Sequence, residues 1–335
     1  MRLWFFLTMP AIPFSCVTED MPDNTPSGNL IACWQQLDEH YCFFAEKGQA
    51  YGLDWNEVRA RYAPAVNEKM SNAQLLEVLG HMICELRDGH VNLYAAHDVA
   101  RYGRWFDDYP ANYSDSLERI YLGRTEDFAI ASGLQYRILD DNIGYVRCST
   151  FDYAFGDGNL HEMMRSLALC DGLIVDVRNN GGGLLTSAQK LASLFVNEET
   201  TVAHIRHKTG KGHNDFSQPT PIRIDPFVGL RWQKPVAVLT NRCTYSAANA
   251  FVAFLHDMPN VTLIGDCTGG GGGLPLSSEL PNGWTLRFSA CPMYDAQMRP
   301  IEEGIQPDIH QDLQDNALQT GRDDIIEKAR DVLRL

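Results

Sequence analysis

Ser246 lies in Thr-Tyr-Ser-Ala-Ala-Asn (244–249), after an apolar run at 236–239 and immediately before a helix-forming stretch at 247–255. A serine so placed faces the first turn of a helix, where free N–H groups and the macrodipole favour developing negative charge. Position alone allows two roles: a side-chain cap, the commoner one, or a nucleophile. A hydroxyl attacks poorly until a base takes its proton, and histidine has the unperturbed pKa suited to that task. Lysine is missing from this neighbourhood, since none occurs between Pro235 and Glu327. His256 rides the same helix about ten residues on, more than two turns from the serine. His90, after Asp88-Gly89, sits in a turn that can aim its ring. Glu302 and Glu303 are adjacent carboxylates, and in an extended segment only one of them faces inward. The glycine runs 181–183 and 269–273 allow backbone to approach a reacting group closely.

Composition narrows the classes of function. With 44% hydrophobic and 21% charged residues in 335, the chain builds one large or two closely packed globular domains. A net charge of -15 excludes the concentrated basic surface that nucleic acid requires. Nine cysteines show no Cys-x-x-Cys pair, so no metal site is expected and most are read as small buried hydrophobes. The glycine runs lack both a Gly-Lys-Ser/Thr ending and a dinucleotide fingerprint, so no cofactor is expected. Residues 3–14 form an apolar run too short to span a bilayer, followed by Ser15-Cys16. With residues 1–24 as export signal and linker, this is similar to a bacterial lipoprotein signal, with Cys16 lipidated and the protein held at the cell envelope. Ordinary secretion and a buried N-terminus are the alternatives.

The elements that must position these residues follow from periodicity. Leu30, Trp34, Leu37 and Tyr41 recur at helical spacing, as do Leu75, Leu76, Leu79, Ile83 and Leu86, and Ser71 with Gln74 predicts a capping box. The stretch 98–128 is aromatic and irregular and is assigned no regular structure. Beyond residue 130, short apolar runs alternate with helical patterns, which predicts an α/β core with parallel strands at its centre. Pro281-Asn282-Gly283 predicts the turn of a last hairpin.

Four motifs stand in a fixed order: Gly-Leu-Ile-Val-Asp-Val-Arg-Asn-Asn-Gly-Gly-Gly (172–183), Val-Ala-Val-Leu-Thr-Asn-Arg-Cys-Thr-Tyr-Ser-Ala-Ala-Asn (236–249), Leu-Ile-Gly-Asp-Cys-Thr-Gly-Gly-Gly (263–271) and Glu-Glu-Gly-Ile-Gln-Pro-Asp-Ile (302–309). Together with Glu-Leu-Arg-Asp-Gly-His (85–90), this order resembles the C-terminal processing, or tail-specific, serine peptidases. That family includes the tricorn protease core and the interphotoreceptor retinoid-binding repeats. The resemblance implies a Clp protease/crotonase-like α/β core at 131–335 and an N-terminal helical subdomain at 25–130. Two departures matter. The gap between His90 and the hairpin near Tyr136 is too short for a PDZ domain, and the place of the usual catalytic lysine falls inside Gly269–Gly273. The match is therefore to the tricorn-like branch, which implies Ser246 as nucleophile, His90 as base and Glu302 as orienting acid.

For the oxyanion hole the expected donors are the N–H groups of Ala247 and Gly182, with Gly181 and Gly183 near equals of the latter. Gly269–Gly273 is expected to form either a mobile rim of the cleft or a flexible connector. The implied activity is a serine endopeptidase that binds an extended peptide by strand addition and cleaves through an acyl-enzyme. The alternative is a catalytically silent protein that binds peptides or apolar ligands on the same fold.

Overall fold

The computed structural model describes residues 22–334 apart from 104 and 108; the expected export segment, with Cys16, lies outside the described residues. The strands are β1 (Asn92–Tyr94), β2 (Val99–Arg101), β3 (Ala129–Ala131), β4 (Leu134–Ile138), β5 (Ile143–Arg147), β6 (Gly172–Asp176), β7 (Thr200–Ile205), β8 (Thr220–Ile224), β9 (Val236–Thr240), β10 (Val261–Gly265), β11 (Gly273–Glu279), β12 (Thr285–Asp295) and β13 (Ile309–His310).

Among the described residues, seven strands form one sheet in the order β13-β10-β9-β6-β5-β4-β3. Its centre is parallel: β5, β6, β9 and β10 run side by side, and β3–β4–β5 close one edge as antiparallel hairpins. Every residue of β5, β6 and β9 is buried, as expected of strands covered on both faces. The helices Asp157–Leu167, Leu185–Ala192 and Ala247–Leu255 make the crossovers between these strands and cover one face. The helix Asp324–Leu333 covers the other.

A second sheet runs β2-β1-β12-β7-β8, with β11 also paired to β12. The eleven-residue β12 ties it together, pairing β1 and β11 near its start and β7 at its end. Four N-terminal helices, Pro26–His40, Phe44–Tyr51, Trp55–Tyr62 and Asn72–Cys84, share one apolar core with Leu280, Trp284, Leu286 and Phe288. The capping box predicted at Ser71 and Gln74 is present. Packing these helices on the second sheet brings the turn at residues 88–90 against β12. The α/β core with helices ahead of it agrees with the expectation.

The stretch 98–128 departs from it. It contains β2 and the amphipathic helix Asp115–Leu122, which buries Leu117, Tyr121 and Leu122. No helix among the described residues is long and apolar enough to cross a membrane.

One ionic cluster fixes the loop after β6. Arg178 is fully buried and donates to both oxygens of Asp176 (2.6–3.2 Å) and both of Asp323 (3.0 and 3.1 Å), joining that loop to the last helix. Replacing Arg178 with Met leaves two buried carboxylates without their cation. Such a break costs roughly 3–5 kcal/mol, so Arg178→Met is expected to lower the midpoint of urea unfolding sharply; an unchanged midpoint would show that the cluster contributes no stability.

Candidate active site

The site begins at the end of β9. The loop from Asn241 to Tyr245 is tied down by Thr244 Oγ1 donating to the Val177 carbonyl (2.9 Å) and by Tyr245 N–H donating to the Asn180 carbonyl (3.0 Å). Ser246 N–H then donates to the Gly270 carbonyl at 2.9 Å. These anchors hold Ser246 at φ 56° and ψ −120°, a conformation L-residues rarely adopt and one whose strain must be offset by surrounding contacts. Its side chain makes no hydrogen bond to the helix it precedes. Instead Oγ lies 2.9 Å from His90 Nε2. The capping role allowed by position is thus not the one adopted.

His90 is buried, and the turn that presents it is an Asx turn: its own N–H donates to Asp88 Oδ1 at 2.7 Å. Asp88 Oδ2 accepts from Ser289 Oγ on β12 at 2.8 Å. The ring of Tyr245 lies 4.9 Å from the imidazole and is itself stacked on Trp105 at 4.4 Å. Burial pulls the His90 pKa down to about 4; the Asp88 carboxylate pulls the other way and the Arg287 charge adds to the lowering. Nδ1 has no hydrogen-bond partner among the described residues.

Glu302 does face inward while Glu303 is exposed, yet Glu302 makes no hydrogen bond to His90. Its carboxylate accepts from Gly272 N–H at 2.8 Å and lies 3.6 Å from Lys47 Nζ. Lys47 is buried and also donates to Glu303 Oε1 at 2.8 Å. Burial opposes the Lys47 charge, but Glu302 and Glu303 outweigh it and hold its pKa above the ordinary lysine value. Burial and then the nearby Asp88 raise the Glu302 pKa well above the ordinary range, while Lys47 and the Gly272 N–H pull it back. The expected direct contact between Glu302 and the base is therefore replaced by an attachment to Lys47 and the glycine run.

That run is neither mobile rim nor loose connector. Gly269–Gly273 are all buried, Gly271 N–H donates to the Glu302 carbonyl (3.1 Å), and Tyr245 pairs with Gly270 as a short parallel bridge. Gly270 has φ +79°, and a Cβ there would lie 1.8 Å from the Glu302 carbonyl oxygen. Only glycine fits, because the backbone of one segment fills the space a side chain needs.

Of the backbone N–H groups expected to serve as oxyanion donors, one is already engaged. Gly182 abuts Ser246, but its N–H donates to Asn180 Oδ1 at 2.9 Å and is occupied. Among the described residues, the N–H groups of Gly183 and Ala247 carry no such bond, and both residues line a cleft of about 160 Å³ next to Ser246. Leu185, Ala250, Met293 and Ile301 give the cleft an apolar wall, β11 contributes Gly273, Leu274 and Pro275, and Arg287 completes it.

His256, Asp257 and Asp295 come close enough to share a metal ion. Arg299 donates to both of these carboxylates and approaches His256 Nδ1 at 3.3 Å, so a guanidinium supplies the positive charge there.

Several groups around the site escaped the sequence. Asp88 had a signal, because Asp-Gly-His is a ready Asx turn. Ser289, Lys47 and Tyr245 had none, since each acts through a partner far away in the chain, and Arg287 had none because only the fold brings it to the cleft.

The model of peptidase family S41 matches residues 142–311, and that of the tricorn protease C1 domain matches residues 22–84. The chain belongs to peptidase family S41. This S41 chain is 29% identical over 181 residues to the carboxy-terminal processing protease CtpA of Bacillus subtilis (strain 168), covering 53% of the chain and 37% of that relative. It thus spans well under half the length of that curated relative. Among solved structures it is similar to one described as a putative peptidase from Parabacteroides merdae ATCC 43184, with TM-score 0.88 and 44% identity over 93% of this chain and 98% of that one. The fold is also that of mature CPAF in complex with lactacystin, with TM-score 0.73 and 12% identity over 92% and 97% of the two chains.

Placing Ala at Gly270 must push residue 302 and the run apart, loosening the carbonyl that holds Ser246. A displacement of about 1 Å at a reacting centre costs on the order of a hundredfold in rate. Gly270→Ala is accordingly expected to slow labelling of Ser246 by a fluorophosphonate by about that factor, measured by gel fluorescence over time; labelling at the unmodified rate would show that this contact does not set the geometry.

Proposed function

We propose that this S41 protein is a serine endopeptidase in which Ser246 attacks and His90 is its base. The observation that carries the reading is the 2.9 Å contact between Ser246 Oγ and His90 Nε2, made by a serine that leaves its helix uncapped. With the imidazole neutral, Nε2 takes the hydroxyl proton as Oγ adds to the scissile carbonyl. The developing oxyanion is held by the N–H groups of Gly183 and Ala247, the second at the start of a helix. His90 then gives its proton to the leaving amine, and water releases the acyl group by the same steps in reverse order of roles.

Asp88, rather than Glu302, is the carboxylate that acts on the base, accepting its backbone N–H and favouring the imidazolium. Glu302 is a positioning residue: through Gly271 and Gly272 it fixes the run whose Gly270 carbonyl holds the nucleophile. The substrate is an extended peptide or unfolded segment. It lies along β11, whose second edge has no strand partner among the described residues, and puts an apolar side chain into the cleft. A silent ligand-binding protein has no use for a strained serine aimed at a buried histidine.

Ser246→Ala is expected to abolish fluorophosphonate labelling and peptide hydrolysis while leaving the unfolding midpoint nearly unchanged, since no cap is lost. Labelling that persists in this variant would place the nucleophile elsewhere.

The pH profile provides a separate check. Because the base works only when neutral and burial depresses its pKa, kcat/KM should stay level as pH falls past 6.5 and drop only toward about 4. Asp88→Asn removes the charge that opposes this depression and should move the limb lower still. An acid limb at an ordinary histidine value, unmoved by Asp88→Asn, would contradict the assignment.

A further inference from the structure

Arg287 lines the Ser246 cleft, and its guanidinium has no hydrogen-bond or ion-pair partner among the described residues. This is not for want of acids, since the chain carries 43 Asp and Glu against 28 Lys and Arg. The residues across from it are neutral: Ser277 on β11 and Asn92 on β1. Alternation along β12 sets residues 285, 287 and 289 on one face, opposite the buried Leu286 and Phe288. Ser289, two residues on, holds Asp88 beneath the base, so this is the face turned to the catalytic centre. The charge of Arg287 is accordingly felt at His90.

A guanidinium is a rigid fork of five donors that matches a carboxylate with two parallel hydrogen bonds. Here the fork is partly withdrawn from water, unused by the protein, and set beside an apolar wall of Leu185, Met293 and Ile301 next to the nucleophile. A chain of net charge -15 repels acidic peptides in general, so admitting one to the cleft takes a local cation.

Resting on the peptidase reading, we infer that Arg287 is a specificity residue that binds a substrate carboxylate, so that the cleft selects an apolar side chain lying close to a negative charge. That carboxylate is either the C-terminus of the substrate or the side chain of an Asp or Glu.

Matched fluorescent peptides separate the sources and test the idea: one apolar core sequence ending in a free carboxylate or an amide, and, with the amide end, carrying Glu or Gln beside the apolar residue. Binding is measured by anisotropy with Ser246→Ala protein, and hydrolysis with the unmodified chain. The expected result is a preference of about ten- to a hundredfold for one carboxylate form over its neutral twin, the range for a charge-assisted hydrogen bond. Arg287→Ala, made in both backgrounds, should bring that ratio to about one, Arg287→Lys should keep part of it, and Arg287→Glu should invert it toward a Lys-bearing peptide. Preference for the free C-terminus identifies tail recognition, and preference for Glu identifies an acidic side chain. Equal binding of acid and neutral twins, or a preference that survives Arg287→Ala, overturns the inference. Carboxylate preference in binding without hydrolysis by the unmodified chain supports Arg287 and refutes the peptidase reading, while hydrolysis without preference does the reverse.

Discussion

The hydrogen bond from Ser246 N–H to the Gly270 carbonyl is the constraint on which the site depends. Without it, nothing on that side holds a serine at positive φ, and the side chain would relax to the capping position that most serines before a helix occupy. The bond in turn requires residues 269–273 to pass within contact of residue 302, which only glycine permits at 270. Asn249, three residues after Ser246, closes the loop by donating to the Ile301 carbonyl and accepting from Thr268 Oγ1, which itself accepts from Ile305 N–H. The separate motifs are thus parts of one hydrogen-bonded knot, and each fixes the others.

The electrostatics of the knot obey the same economy. Two carboxylates, Asp88 and Glu302, are buried close enough for the first to raise the cost of ionising the second, and Lys47 is the buried cation beside them. Burial of ions is tolerated only where partners are supplied, and here the partners come from backbone N–H groups, a serine hydroxyl and one lysine. Desolvation keeps the histidine uncharged at neutral pH, the state the proposed role as base requires. A lysine does therefore sit near the centre of this chain, but its charge is bound to acids and cannot accept a proton.

What could be read in advance follows from the range of the forces involved. The parallel strands and their helices were legible because apolar runs, caps and turn residues act locally; Ser246 stood out because it precedes a helix, and His90 because Asp88-Gly89 marks a turn. The helix Asp115–Leu122 was hidden among aromatic residues that are sorted only by packing on the short helix Ala317–Thr320 and β4. The glycine run looked flexible because composition carries no information about the backbone that will be pressed against it. Glu302 was assigned a direct role because no local signal links it to Lys47, 255 positions earlier. That the Gly182 N–H is occupied depends on one side-chain acceptor, Asn180 Oδ1, a detail that spacing does not encode.

The distance along the chain between interacting groups has a consequence for biosynthesis. His90 and Ser246 are 156 positions apart, and Lys47 and Glu303 are 256 apart. Contacts of such separation close late, because the loop entropy is spent before they return any energy. As the polypeptide leaves the ribosome, His90 emerges first, Ser246 much later, and the segment around Glu302 nearly last. A nascent or truncated chain consequently carries Ser246 and His90 without their alignment, and their contact awaits the segment around Gly270 and Glu302.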